Sequence, residues 1–201
     1  MNLEKLHVAL SYEGPISMVS IEEFKEEVAT SGLELLVEER PSTRAFAGIE
    51  WVMPTAVMVY IAKSYFDGFL GEMGKDHYQA LKSGIRTLQG RLSYIKINLV
   101  GTPGKVSRVQ PYSLVYSVWS DRDANSRFKF LVPNDLSSAD ADRATDVFMT
   151  FLEAYHRGVL EEEDLKILAE ARPIGRTILL AYEPTLGTIQ VVDPLASIRG
   201  D

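Results

Sequence analysis

The strongest constraint on this chain is an uninterrupted oily segment. Residues 51 to 62 read WVMPTAVMVYIA, and Ala56 to Ala62 are seven consecutive apolar residues with no polar face. An element that is apolar all round must be enclosed on every side. Lys63 closes the run after about a dozen positions, where a bilayer span needs roughly 20, so the run belongs inside a globular core. Pro54 suits the first turn of a helix, where a missing N–H costs nothing, and the expectation is a buried helix from Pro54 to about Leu70. Gly68, Gly71 and Gly74 then recur every third residue. Each weakens a helix by up to about 1 kcal/mol, which predicts a break between Leu70 and Lys75. A second helix follows from Lys75 to about Arg91, with Tyr78, Leu81, Ile85, Leu88 and Leu92 forming an apolar stripe in steps of three and four.

The flanking sequence alternates strands and helices. LHVALSY reads as a strand closed by Glu13-Gly14-Pro15, Ser20 as the cap of IEEFKEEVATSG, and LELLVEER as a strand ending at Pro41, which together make a β-α-β unit. Past the second helix, LSYIKINLV and VSRVQ flank Thr102-Pro103-Gly104-Lys105, a type II turn pattern. SLVYSVW and RFKFLV flank Asp121 to Ser126 in the same manner. Ser137 or Ser138 opens a long helix with an apolar face of Ala144, Val147, Phe148, Phe151, Leu152, Tyr155 and Val159, and with Glu153 and Arg157 spaced to pair on the other side. A short acidic-headed helix, EEEDLKILAEA, precedes a last hairpin, RTILLAYE and TIQVV. The prediction is a single α+β domain over residues 1–201. Its mixed, largely antiparallel sheet comes from the N-terminal β-α-β unit and several hairpins, and packs against a buried helix pair and a long amphipathic helix.

Composition removes whole classes of chemistry. The 201 residues include no cysteine, which excludes disulfides, thiolate metal sites and cysteine nucleophiles. The formal charge of −7 argues against a general nucleic-acid coat. Charge is unevenly placed: residues 1 to 74 carry 5 basic and 12 acidic groups, 75 to 108 carry 7 and 1, and 109 to 201 carry 9 and 15. In the basic block Lys75, Lys82 and Arg86 share one helix face, a candidate binding surface for an anion unless the chain's own acids, in EEFKEE or EEED, neutralise it. Met1 to Leu10 show no basic leader with a long apolar core, so the expected location is the cytoplasm.

The familiar catalytic motifs are missing. GTPGKVS lacks the first glycine and the final hydroxyl of a phosphate loop, and there is no dinucleotide fingerprint, HExxH or GxSxG. His7, His77 and His156 have no metal-ligand spacing, and His7 and His156 read as packing or surface positions, so neither a metal site nor a cofactor is expected. Asp140, Asp142 and Asp146 fit a helix N-terminus, and Asp121 and Asp123 a hairpin tip. One constellation remains. Lys63 and Asp67 lie one helical turn apart, and His77 stands at the edge of the following apolar stripe with Gly84 on the same side, leaving space or admitting another element. His77 as acid or base, Asp67 as its orienter and Lys63 as an anion-binding charge are the candidate catalytic set, with Lys75, Lys82 and Arg86 as candidate ligand-binding residues.

The sequence thus points first to a non-catalytic cytoplasmic interaction or regulatory protein, with a protein partner or self-association. The alternatives are a hydrolase or transferase acting on an anionic small molecule at residues 63–86, and a membrane-active protein releasing a helix at residues 51–70. Nucleic acid and membrane are the less favoured partners.

Overall fold

Seven strands of this chain pair into one sheet, most of them burying one or both faces. The computed structural model describes residues 6–14, 16–29, 32–41, 54–95 and 111–193. The elements are β1 (Val8–Glu13), α1 (Met18–Val28), β2 (Leu35–Arg40), β3 (Val57–Ile61), α2 (Leu70–Leu92), β4 (Tyr112–Asp123), β5 (Ser126–Pro133), α3 (Ser138–His156), α4 (Glu162–Glu170), β6 (Thr177–Glu183) and β7 (Thr188–Val191). The sheet order is β2-β1-β3-β4-β5-β6-β7. Neighbouring pairs alternate in sense: β1/β2, β3/β4 and β5/β6 are parallel, while β1/β3, β4/β5 and β6/β7 are antiparallel. Each parallel pair is bridged in sequence by helix, since side-by-side parallel strands cannot be joined by a tight turn. The fold is α+β with a mixed sheet, as its segment pattern implies.

The helices share one core with one face of the sheet. Val57, Val59 and Ile61 of β3, Phe128 and Phe130 of β5, and Ile178 and Leu180 of β6 join Phe24 and Val28 of α1, Leu81 and Ile85 of α2, Phe148 and Leu152 of α3 and Leu168 of α4 in one buried cluster. Phe130 stacks on Phe148 with ring centroids 4.4 Å apart. Alternation sends Leu131, Leu179 and Ala181 to the opposite face, where they form a smaller cluster. Lys129 lies in that second face, between Trp119 and Leu179 in the strand register.

The oily segment is enclosed as its composition demands, but it is not a helix. Residues 57–61 form β3, with Val57, Val59 and Ile61 fully buried. The strand is bonded on both sides, to β1 and to β4. An inner strand hides both faces and therefore reads as a continuous apolar run, which periodicity cannot separate from a buried helix. The expected membrane-releasing helix over 51–70 is thereby corrected, and residues 51–53 lie outside the described residues. Among the described residues no helix is long and apolar enough to cross a membrane.

Three smaller expectations also change. The glycines do not break the second helix: Lys63 and Ser64 begin it, Tyr65–Phe69 form a single widened π turn, and α2 runs without interruption from Leu70 to Leu92. Burial of Tyr78, Leu81, Ile85, Leu88 and Leu92 along one stripe outweighs the weak local propensity. α1 starts three residues earlier than expected, with Ser17 at the N-cap position but making no side-chain cap bond, and Ser20 is buried inside it. Leu92 ends α2 and Ser93-Tyr94 form a turn where a strand was expected, and the rest of the hairpin predicted around Thr102–Lys105 lies outside the described residues.

Candidate functional site

His77 sits at the junction of α1 and α2, 7% exposed. Its Nε2 donates to the carbonyl of Val28, 3.1 Å away, and its Nδ1 lies 3.1 Å from the Tyr65 hydroxyl. A carbonyl can only accept, so the proton rests on Nε2 and Nδ1 accepts from Tyr65. Burial lowers the pKa of His77, against the bond to Val28, and keeps the ring neutral. Val28 is the last residue of α1, so the imidazole satisfies one of the carbonyls a helix end leaves open. Gly84 lies beside it. A Cβ there would come within 2.8 Å of Val28 Cγ2 and 3.3 Å of Phe24 Cδ2, so the missing side chain admits α1.

Lys63 and Asp67 pair with each other at a half-exposed position. Both His77 nitrogens are engaged by Tyr65 and Val28, and the histidine whose titration responds to Asp67 and Lys63 is His156, at the end of α3. The cationic face of α2 is answered from within the chain. Lys82, 8% exposed, lies 3.4 Å from Asp146 of α3, and Arg86 Nε donates to the same carboxylate at 2.9 Å. Gln89 continues this seam by accepting from Thr145 at 2.6 Å. Arg91 reaches Glu23 of α1 at 3.1 Å. The neutralising acids are therefore Asp146 and Glu23. The Lys75 side chain lies outside the described residues. Asp140 has the role expected at a helix start, bonded through its backbone N–H and its carboxylate to Ser137.

The polar groups brought together across the longest sequence distances meet where β3, β4 and β5 end. Asp121 is their hub. Its carboxylate accepts from the Tyr60 hydroxyl and, at 3.1 Å, from the backbone N–H of Lys63. Burial and this acidic partner raise the Tyr60 pKa, so the phenol stays protonated. Arg127 lies over the Tyr60 ring, 5.9 Å from its centroid. His156 stacks on Phe66 with centroids 4.4 Å apart, and its Nε2 is 3.5 Å from Ser120 Oγ. Burial lowers the His156 pKa, opposed by Asp67. The neutral imidazole could accept a proton, but Ser120 is fully buried, so its hydroxyl is closed to any substrate. No sequence spacing signals this group: Tyr60, Asp121 and His156 are joined by strand pairing and by the docking of α3.

At the β7 edge of the sheet, α4 commits one buried side chain, Leu168, to the core. Leu165 and Ile167 are 51% and 37% exposed, and Val159 just ahead of the helix is 66% exposed. Glu162, Glu163 and Asp164 fill its first turn, after Glu161 at the cap. Partial burial, with Glu161 and Glu163 nearby, raises the Asp164 pKa. Among the described residues no group of three or more histidine or carboxylate side chains is placed to hold a metal ion.

A scan against protein-family models found no match for this chain, and neither the curated proteins nor the solved structures searched gave one.

Proposed function

We propose that this chain is a non-catalytic interaction or regulatory protein of the cytoplasm, and that α4 is where it meets a partner. The observation that carries the reading is the composition of that helix's outer surface: Leu165 and Ile167 stand exposed beside Glu161, Glu162, Glu163, Asp164 and Glu170, with Lys166 the one cation of the helix. Apolar side chains left in water beside charge of one sign suit a partner segment that is itself basic and apolar. The engagement of the other candidate groups supports the same reading. His77 closes a helix end, Asp146 holds both Lys82 and Arg86, and Asp121 is taken up by Tyr60 and by the Lys63 backbone.

The test compares the wild-type chain with a Leu165→Glu/Ile167→Glu variant. Both sites are exposed, so the variant should melt with the wild type. Cross-linking in extract of the source cells should recover a defined basic protein with the wild type, released by salt, and lose it with the variant. A wild-type chain that stays monomeric by light scattering and recovers nothing would overturn the proposal, as would equal recovery by both proteins. A homodimer dispersed by the same substitutions would assign the surface to a second copy and would overturn the basic partner.

A further inference from the structure

A second feature, independent of α4, opens beside the Asp121 hub. A cleft of about 310 Å³ lies between the β4–β5 hairpin tip and the turn that leads into β6. Arg127 and Arg176 both line it, as do Ser126 and Thr177. From these residues we infer that the cleft is a binding site for a small oxyanion, one whose phosphate or carboxylate oxygens meet two guanidinium groups.

The charge arrangement is the first argument. Asp121 and Asp123 also line the cleft, but their oxygens are already engaged, Asp121 by groups at the end of β3 and Asp123 within its own hairpin. Asp121 accepts from Tyr60 and the Lys63 backbone. Asp123 accepts from the Ser126 hydroxyl at 2.6 Å and the Asn125 N–H at 2.8 Å, and Arg122 lies 3.9 Å from it. These bonds lower the Asp123 pKa and hold it as an anion turned to the hairpin. The Arg176 guanidinium has no ion pair or hydrogen bond among the described residues. Arg127 has the Tyr60 ring, which leaves its N–H fork open. Two arginines in one concavity, neither held in an ion pair within 4 Å among the described residues, match the planar, bidentate way guanidinium binds oxyanions even with Asp121 and Asp123 in the same lining.

The backbone supplies the second argument. Ile174 and Thr177 exchange two hydrogen bonds of 2.9 Å across Gly175 and Arg176, whose φ angles are +55° and +71°. Both central residues of this two-residue turn are left-handed, the pattern that favours Asn-Gly or Gly-Gly. An arginine there costs roughly 1 kcal/mol that glycine would avoid. The turn is pinned to the hairpin by the Arg127 N–H, which donates to the Arg176 carbonyl at 2.9 Å. One corner held by these backbone bonds thus carries both arginines at the cleft, and the volume suits a molecule of metabolite size rather than a polymer.

The inference is tested by calorimetric titration of the whole chain at low ionic strength. The probes are inorganic phosphate, glycerol phosphate and citrate, with glycerol as the neutral control. Saturable binding of at least one anion and none of glycerol is expected. Preference for the two phosphates over citrate, or the reverse, identifies the oxyanion. Arg176→Gly relieves the backbone strain and should leave the melting temperature unchanged or higher while weakening the preferred anion at least tenfold, and Arg127→Gln should weaken it similarly. If none of the anions saturates, or if Arg176→Gly binds as tightly as the wild type, the cleft takes an adventitious ion only and the inference fails. The α4 variant keeps both arginines, so its loss of a partner and a loss of anion binding are read separately.

Discussion

Replacing Gly84 by alanine tests how closely α1 and α2 approach. A methyl group at this position would meet Val28 Cγ2 at 2.8 Å and Phe24 Cδ2 at 3.3 Å. Both neighbours are almost wholly buried, and a valine methyl has no flexible chain to swing away. Relief requires the helices to part, and overpacking of this kind costs about 1–3 kcal/mol. Alanine is also a better helix former than glycine by about 1 kcal/mol, which offsets part of that cost. The net expectation is a loss of up to about 2 kcal/mol. Gly90, in the same helix, has nothing within 4 Å of an added Cβ, so Gly90→Ala should gain about 0.5–1 kcal/mol from propensity alone. Urea denaturation followed by far-ultraviolet circular dichroism measures both variants, and the two midpoints should move in opposite directions. Separation of α1 from α2 would also lengthen the bond from His77 to Val28, visible as a shift of the His77 ring signals by nuclear magnetic resonance. Equal midpoints for the two variants would refute the close-approach reasoning.

Three further perturbations follow from the charged groups. Asp146→Asn removes the carboxylate shared by Lys82 and Arg86; because Lys82 is nearly buried and Arg86 and Asp146 are partly exposed, a loss of about 1–2 kcal/mol is expected, shrinking in 1 M salt, and a salt-independent or absent effect counts against the pairing. His7, His77 and His156 all have pKa values lowered by burial, so the unfolded chain takes up protons first as pH falls through about 6.5, and stability should drop between pH 7.5 and 5.5; a flat urea midpoint there contradicts it. The raised pKa of Asp164 acts in the opposite sense and nearer its own ordinary range, so it does not mask the fall. Burial pushes Lys129 down to about 7, so the unfolded chain holds a proton that the folded chain has released between there and the ordinary lysine range; stability should rise from pH 7 to 9.5 by up to about 1.4 kcal/mol per unit, and Lys129→Met should remove the rise.

The elements read correctly from sequence are those whose local pattern has one physical solution. The stripe Tyr78 to Leu92 can only be an amphipathic helix, and it is buried along that line. The segments around Asp121–Ser126 and Pro184–Gly187 carry turn residues between alternating strands, and both are hairpins. Lys63 with Asp67 and Glu153 with Arg157 pair because one helical turn brings them together. The oily segment has two solutions, a buried helix or an inner strand, and what separates them is a neighbour on each side, which lies outside the segment itself. The branched residues Val57, Val59 and Ile61 alternating with Met58 and Tyr60 were the local hint of the strand. The charged groups follow the same rule at longer range. Asp146 lies 60 residues from Arg86, and Tyr60 lies 61 from Asp121. At such separations charge and spacing name residues able to pair without naming the pairs, because the sheet order decides which meet. That is also why Arg127 and Arg176 give no joint signal in the sequence: β5 and β6 are parallel neighbours, and only their alignment, Arg127 opposite Thr177, brings the two arginines to one end of the sheet.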